Sequence, residues 1–218
     1  SIFDANILFG TYLLEAMALN GVSRFINTGT FWEYGDQKGG YRPVNLYAAS
    51  KRAFEDILYY YADAHGISAP TLKLYGTYGP NDPRGKIFSV FRKSLDEKEP
   101  IALSPGEQVM DHVYIDDVVS AYEKTIHYVY EKKECQPETF FIGSGISMKL
   151  REVAQIYQEC VGKSLNVRWG GRPYREREIM SCMADIQPAK VKLGWEPQFD
   201  LKRGISKMLE VETKSLTL

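Results

Sequence analysis

The stretch between residues 22 and 75 decides the fold, because it alternates two short apolar runs with one long helical segment. VSRFINT (22–28) is a β-type run, LYAASKRAFEDILYYYADAHG (46–66) has the spacing of a helix that ends at Gly66, and APTLKLY (69–75) is typical of a buried strand. A strand, a helix and a second strand in this order favour a parallel βαβ unit, with helices on both faces of the sheet.

The segments on either side of this unit extend the pattern. Residues 4–20 place apolar side chains at helical spacing, and Gly21 follows as a C-terminal stop. Residues 76–83 are predicted as a turn-rich loop. Beyond residue 84 we predict helices near 86–97, 117–130, 149–161 and 200–213, and strands near 101–103, 109–115, 139–142 and 165–169. The second half is therefore expected to form a smaller mixed α/β lobe packed on the first.

Composition limits the classes of partner. At 218 residues and 44% hydrophobic content, the chain can bury one substantial core. Its net charge of −1 provides no basic field for nucleic acid, and no apolar run approaches the roughly 20 residues that span a bilayer. The three cysteines, Cys135, Cys160 and Cys182, include no C-x-x-C pair, which fits a reducing compartment. We expect a cytoplasmic protein that binds neither nucleic acid nor membrane.

Tyr47 and Lys51 lie four residues apart at the start of the long helix, so their side chains share one face. A phenol has a pKa near 10, and a neighbouring ammonium lowers that pKa, which would make Tyr47 a general acid or base at neutral pH. The alternative is an ordinary exposed pair at helical spacing. Thr30 ends the preceding strand, where its hydroxyl could hold a substrate oxygen beside the phenol.

Several short motifs surround this pair in a fixed order. They are FINTGT (25–30) followed by YG (34–35), Tyr47-x-x-x-Lys51, TYGP (77–80), HVYIDD (112–117), AD (184–185) and LGWEP (193–197). In this order and spacing the chain resembles the extended short-chain dehydrogenase/reductase family of NAD-dependent epimerases and dehydratases, which act on nucleotide sugars. The resemblance covers nearly the whole chain.

The resemblance implies roles for particular residues. Tyr47 would exchange a proton with a sugar hydroxyl or ketone, while Lys51 would lower the Tyr47 pKa and bind the nicotinamide ribose of NAD or NADP. Thr30 would orient the reacting oxygen, and Thr28 and Asn6 would lie at the cofactor. It also implies an incomplete Rossmann-like, doubly wound parallel sheet over residues 1–84, and a substrate-binding lobe over residues 85–218 with some segments returning to the sheet.

The residues after Thr30 reduce the number of family reactions that this chain is expected to catalyse. Dehydratases of the family have an Asp-Glu pair there, whereas this chain has Phe31 and Trp32, which cannot move a proton. Residues 73–86 are similar to the ketoreductase branch that makes CDP-abequose and related 6-deoxy sugars, although many relatives have Arg at the position of Lys73. We therefore expect NAD(P)-dependent reduction of a nucleotide-linked 4-keto-6-deoxy sugar. A nucleotide-sugar 4-epimerase and a catalytically silent sugar-nucleotide-binding fragment are the alternatives.

Arginines suit the diphosphate of such a substrate. Arg175 corresponds to a family arginine that contacts the diphosphate, whereas a second one is replaced by Met110, so Lys86 or Arg84 is expected to compensate. For Arg172 and Arg177, a diphosphate contact and an exposed surface role are both open. We predict no metal site: Asp116 and Asp117 are interpreted as helix-capping and interface residues, and the three histidines, His65, His112 and His127, as structural.

The 218 residues contain no G-x-x-G-x-x-G turn, the usual seat of the dinucleotide pyrophosphate. We interpret the chain as lacking the first βαβ units of the fold, which would leave a sheet edge exposed. By analogy with the family, we expect a homodimer that forms through the helices at 4–20 and 46–65.

Overall fold

A computed structural model describes residues 1–36, 40–131 and 137–215. A π-helical turn, Asp4–Leu8, leads into the first α-helix, and a 3₁₀ turn, Phe31–Glu33, follows the first strand. The helices are α1 Phe9–Leu19, α2 Leu46–His65, α3 Ile87–Ser94, α4 Ile115–Glu131, α5 Leu150–Val161, α6 Gln187–Leu193 and α7 Leu201–Ser215. The strands are β1 Asn27–Thr30, β2 Thr71–Leu74, β3 Gly76–Tyr78, β4 Ile101–Ala102, β5 Val109–Tyr114, β6 Thr139–Ile142, β7 Ser147–Lys149 and β8 Val167–Arg168.

The central sheet has the parallel strand order β1-β2-β6, with Thr30 opposite Leu74 and Leu74 opposite Ile142. Helices α1 and α2 form an apolar cluster on one side. On the other side, α4 and α6 pack with β2 and β6, and the Trp195 ring lies in the same cluster. The doubly wound α/β fold is confirmed, and β1 lies at the edge of this sheet.

The remaining strands form two smaller sheets. In one of them β3 pairs in parallel with β5, which also pairs antiparallel with β7; in the other, β4 pairs in parallel with β8. Their main core is aromatic and includes Tyr78, Phe88, Phe91 and Tyr157. Strand β6, from the second half of the chain, returns to the central sheet. The division into a Rossmann-type domain over residues 1–84 and a substrate-binding lobe over residues 85–218 stays a prediction.

The structure corrects the expected course of the chain at several places. The first strand begins at Asn27 rather than residue 22, because Arg24 makes only an isolated bridge to Ser68. Residues 76–78, predicted as loop, form β3. A Cβ at Gly76 would lie 2.6 Å from the carbonyl oxygen of Asp111, so the bare backbone allows this close pairing. Strand β7 and helix α6 are too short to show a period, and neither was predicted.

Two buried carboxylates tie distant segments together through backbone amides. Asp111 accepts hydrogen bonds from the amides of Ser144, Gly145 and Ala184, at 2.7, 3.0 and 3.0 Å. Asp117 accepts hydrogen bonds from the amides of residues 198 and 199 at 2.8 and 3.1 Å. Asp117 thus ties the start of α4 to residues 198 and 199, whereas its neighbour Asp116 is exposed, and the lobe-interface role expected of the two aspartates stays a prediction.

Three further features bear on metal binding, membrane crossing and the state of the cysteines. Among the described residues, no group of three or more His, Cys, Asp or Glu side chains is arranged to hold a metal ion. Over the same residues, none of the helices combines the length and apolarity that a membrane crossing requires. Cys160 and Cys182 are free thiols, and Cys135 lies outside the described residues.

Candidate active site

The first turn of α2 presents the Tyr47–Lys51 pair. Asn45 caps this helix, its Oδ1 accepting a hydrogen bond from the amide of Ala48 at 2.9 Å. The Tyr47 ring is 37% exposed and meets the Trp32 ring edge-on, with centroids 6.4 Å apart. Lys51 is half-buried one turn later and has no hydrogen-bond or ion-pair partner among the described residues. The pair is therefore a partly desolvated phenol and ammonium, not a fully exposed surface pair.

Burial and nearby charges shift the pKa values of both groups of the pair. Burial raises the pKa of Tyr47, the guanidinium of Arg84 lowers it, and Glu33 raises it further. Burial lowers the pKa of Lys51, and Glu55 and Glu33 raise it. Arg84 is the cation that lowers the pKa of Tyr47 in this arrangement, and the expected effect of Lys51 on that pKa stays a prediction.

Asn6 is linked to the turn that carries Tyr47. Its Nδ2 donates to Ser50 Oγ at 2.9 Å, and that hydroxyl donates to the backbone oxygen of Tyr47, also at 2.9 Å. The structure thus places Asn6 beside the start of α2, as its predicted location requires. Contact between Asn6 and a cofactor stays a prediction.

The end of β1 brings two threonine hydroxyls to this region. Thr30 is buried, and its Oγ1 accepts a hydrogen bond from the amide of Trp32 at 3.3 Å, which caps the 3₁₀ turn. The hydroxyl of Thr28 is hydrogen-bonded to the hydroxyl of Tyr122 on α4. Tyr122 was not singled out from the sequence, yet it also raises the pKa of Tyr47 through its charge. The cofactor role of Thr28 and the substrate role of Thr30 stay predictions.

A buried charge cluster lies under the pair and was also missed. Lys73 on β2 is 1% exposed, and its Nζ lies 2.6 Å from Glu33 Oε2 and 2.9 Å from Glu55 Oε2. The same ammonium donates to the hydroxyl of Tyr34 at 2.8 Å. A lysine inside the apolar run TLKL was the available signal, because a buried ammonium requires partners.

The candidate substrate cleft has a volume of about 340 Å³ and opens beside the start of α2. Trp32, Val44, Asn45, Met110 and residues 175–179 line it. Arg175 and Arg177 are both exposed residues that line this cleft, and Glu176 and Glu178 lie with them. The diphosphate role of Arg175 stays a prediction.

Lys86 and Arg84, which were expected to replace the arginine lost at Met110, make contacts within the protein. Lys86 precedes α3, and its Nζ donates to the carbonyl oxygen of Thr77 at 3.2 Å. Arg84 forms a bidentate pair with Asp82, at 2.7 and 2.8 Å. Neither side chain is among the described residues that line the 340 Å³ cleft, so the substrate-binding role of Lys86 remains a prediction without a contact to support it.

Comparison with known proteins assigns the chain to a family. The family model described as the NAD dependent epimerase/dehydratase family matches residues 1–143. The chain belongs to this family. CDP-abequose synthase of Salmonella typhimurium is 31% identical over 214 residues, which are 96% of this chain and 70% of that protein. UDP-glucuronate 4-epimerase of Thermodesulfobacterium geofontis is 25% identical over 225 residues, covering 99% of this chain and 67% of that protein.

Solved structures of the family share the fold. UDP-glucose 4-epimerase of Thermotoga maritima, solved with UDP-glucose, is 28% identical with a TM-score of 0.85, over 98% of this chain and 71% of that one. UDP-glucose 4-epimerase of Thermus thermophilus, solved with NAD, is 26% identical with a TM-score of 0.82, over 97% of this chain and 70% of that one. The nicotinamide cofactor expected from the sequence is therefore the cofactor of this family.

The residues of this chain fit one end of such a cofactor. The partly buried ammonium of Lys51, which has no partner among the described residues, could bind a ribose hydroxyl, with Tyr47 next to it. For the pyrophosphate, the 218 residues offer no G-x-x-G-x-x-G turn. Binding of the nicotinamide ribose by Lys51 and Tyr47 stays a prediction.

Proposed function

We propose that this chain carries the proton-transfer and substrate groups of an NAD(P)-dependent reductase that acts on a nucleotide-linked 4-keto-6-deoxy sugar. The observation that carries the proposal is the partly buried Tyr47–Lys51 pair beside Trp32 and the end of β1. The nicotinamide supplies the hydride for the ketone carbon. Tyr47 gives its phenolic proton to the ketone oxygen, Thr30 holds that oxygen, and Lys51 stabilises the phenolate that remains.

Two observations support reduction over the other reactions of the family. Phe31 and Trp32 follow Thr30, so the position used for water elimination has no acid or base, which disfavours dehydration. The 31% identity with CDP-abequose synthase over 96% of the chain supports the ketoreductase branch. A 4-epimerase remains the second candidate, since it uses the same phenol and hydride and since curated and solved epimerases also match. The third is a silent sugar-nucleotide-binding fragment.

The substrate half of the proposal depends on the cleft at Arg175. A guanidinium in a cleft of about 340 Å³ next to Asn45 and Trp32 suits a diphosphate whose sugar extends toward Tyr47. Residues from both sides of the predicted division at residue 84 line this cleft. We propose a nucleotide diphosphate sugar as the ligand.

We also propose that the protein forms a homodimer through α1 and α2. These helices expose large aromatic residues, Phe9 at 66%, Tyr12 at 69%, Tyr59 at 62% and Tyr60 at 61%. Light scattering after size exclusion tests the proposal: we expect twice the mass of the chain in the unmodified protein and the monomer mass in a Tyr12→Glu, Tyr59→Glu variant. A monomer mass in the unmodified protein would contradict it.

The experiment for the enzymatic proposal combines binding and product analysis. Fluorescence titration with NADH and with NADPH measures cofactor affinity. NMR of a CDP- or UDP-linked 4-keto-6-deoxyhexose incubated with the protein and the reduced cofactor then identifies the product. We expect a 4-hydroxy sugar and oxidised cofactor. Conversion of a UDP-hexose to its 4-epimer would favour the epimerase, and saturable sugar-nucleotide binding with no cofactor binding at millimolar concentration would favour the silent fragment.

A further inference from the structure

The buried charge cluster beneath the catalytic pair, Glu33–Lys73–Glu55, has one carboxylate more than it has ammonium groups. Lys73 contacts Oε2 of both acids, at 2.6 and 2.9 Å. When both acids are ionised, the Oε1 atom of each is buried without a donor. A proton held between the two carboxylates would supply one donor, and burial raises the pKa of Glu55 to about 7. The cluster is therefore neutral with that proton and carries one negative charge without it.

Lys51 is the candidate for a second cation beside the cluster, because Glu55 and Glu33 both act on its charge. It lies four residues before Glu55 on the same face of α2, and no described residue forms a hydrogen bond or ion pair with it. Burial disfavours its ammonium, whereas Glu55 and Glu33 both favour it. The excess carboxylate of the cluster and the charge of Lys51 therefore compensate each other.

The cluster packs closely against the backbone of Gly29, on the strand that carries Thr30. A Cβ at this position would lie 2.8 Å from Glu55 Oε1 and 2.9 Å from Cγ of Lys73. Gly29 pairs in register with Lys73, so the bare backbone of β1 is the surface on which Glu55 and Lys73 meet. The absence of a side chain at Gly29 thus allows the Glu55 carboxylate to lie next to β1 between Thr28 and Thr30.

Within the described residues, the charged groups that act together with Glu55 come from β2, the 3₁₀ turn and α2 itself. Glu55 is faced by Lys73 of β2, by Glu33 of the 3₁₀ turn and by Lys51 of its own helix. The Lys73 ammonium also donates a hydrogen bond to the hydroxyl of Tyr34. The coupling between the cluster and Lys51 consequently does not pass through an exposed charge.

We propose that Glu55 is a positioning residue for the reaction at Tyr47, which together with Glu33 keeps the Lys51 side chain in its ammonium form within a partly buried site. This proposal deepens the reductase function proposed above, and its catalytic consequence rests on that function. Without the excess carboxylate, Lys51 loses its proton at lower pH and no longer stabilises the phenolate of Tyr47. In active enzyme, Glu55→Gln should therefore change the pH profile of kcat while leaving the KM for the nucleotide sugar unchanged.

The test measures Lys51 itself and needs no turnover. Limiting acetic anhydride acetylates unprotonated lysines, and peptide mass spectrometry gives the rate at each lysine as a function of pH, with the exposed Lys207 as internal reference. In Glu55→Gln we expect the midpoint of the Lys51 curve to fall by about one pH unit, the usual scale for loss of a nearby opposite charge. The Lys207 curve should not move.

Controls separate this coupling from a general effect on the helix. Asp56→Asn removes an exposed carboxylate of α2 that pairs with Arg52 at 3.2 Å, and it should leave the Lys51 midpoint in place. Glu33→Gln is the second variant if Glu55→Gln does not fold, with a fall in the same direction expected. An unchanged Lys51 midpoint in a folded variant, or an equal fall in Asp56→Asn, overturns the proposal. Failure of the reductase function would instead appear as absent cofactor oxidation with the Lys51 coupling intact.

Discussion

Replacing Glu55 by Gln should change how the stability of the protein depends on pH. Glutamine resembles the protonated acid in shape but cannot ionise. In the folded protein the pKa of Glu55 rises from 4.5 to about 7: burial is the largest cause, Lys73 offsets part of it, and the adjacent Glu33 adds to it. The folded state therefore binds more protons than the unfolded state between pH 4.5 and 7. The stability that Glu55 contributes is fully present below about pH 4.5 and is lost as the pH rises through 7.

The size of the effect follows from the shift. At about 1.4 kcal/mol per pKa unit, a rise from 4.5 to about 7 corresponds to at most about 3 kcal/mol. Urea unfolding followed by tryptophan fluorescence at pH 5 and at pH 8 measures it. At each pH, the free energy of unfolding of Glu55→Gln is compared with that of the unmodified protein. We expect this difference to shift by about 1–3 kcal/mol in favour of the variant between pH 5 and pH 8. Groups that titrate in both proteins cancel in this comparison.

The control and the refutation use the same measurement. Asp56→Asn, on the exposed side of the same helix, should show no such difference between the two pH values. If Glu55→Gln costs the same free energy at both pH values, or costs more at pH 8, then the cluster does not hold an excess carboxylate and the reasoning fails.

Three further outcomes are expected. Tyr47→Phe should lower turnover by about 10²–10⁴-fold, because the proton donor is lost, while calorimetry should show unchanged nucleotide-sugar affinity. Gly29→Ala should destabilise the protein by about 1–3 kcal/mol in urea unfolding, because its methyl group would lie 2.8 Å from Glu55 Oε1; unchanged stability would argue against the close contact. Asp117→Asn should cost about 1–3 kcal/mol, since the amides of residues 198 and 199 lose a charged acceptor, and Asp116→Asn, on an exposed neighbour, should cost little.

Strong local signals explain what the sequence could predict about the fold. Helix α2 was predicted at its observed bounds, because its period is sustained over 20 residues and Gly66 adopts the left-handed conformation that ends it. The parallel sheet followed from the alternation of strand and helix. By contrast, β3 is a three-residue strand in a segment rich in glycine and proline, and α6 spans only seven residues. Such short elements form through tertiary pairing, which local propensity does not encode.

The site was predictable where its residues are close in sequence and unpredictable where they are not. Tyr47 and Lys51 share a helical face by spacing alone. Glu33, Glu55 and Lys73 come from a turn, a helix and a strand, and they meet only because β1 and β2 pair in register at Gly29. The effect of burial on the pKa of Tyr47 was likewise invisible in the sequence, since the spacing shows that two side chains are neighbours but not how much water surrounds them.

The measurement that tests the central claim most directly is cofactor oxidation with matched variants. The protein and its Tyr47→Phe variant are each mixed with NADH or NADPH and a CDP- or UDP-linked 4-keto-6-deoxyhexose, and absorbance at the nicotinamide band is followed with time. The prediction is oxidation that depends on the sugar in the unmodified protein and is lost on substitution, with sugar-nucleotide binding retained in both. Equal oxidation rates in the two proteins, or no oxidation although cofactor and sugar both bind, would contradict the assignment of Tyr47 as the proton donor of a keto-sugar reductase.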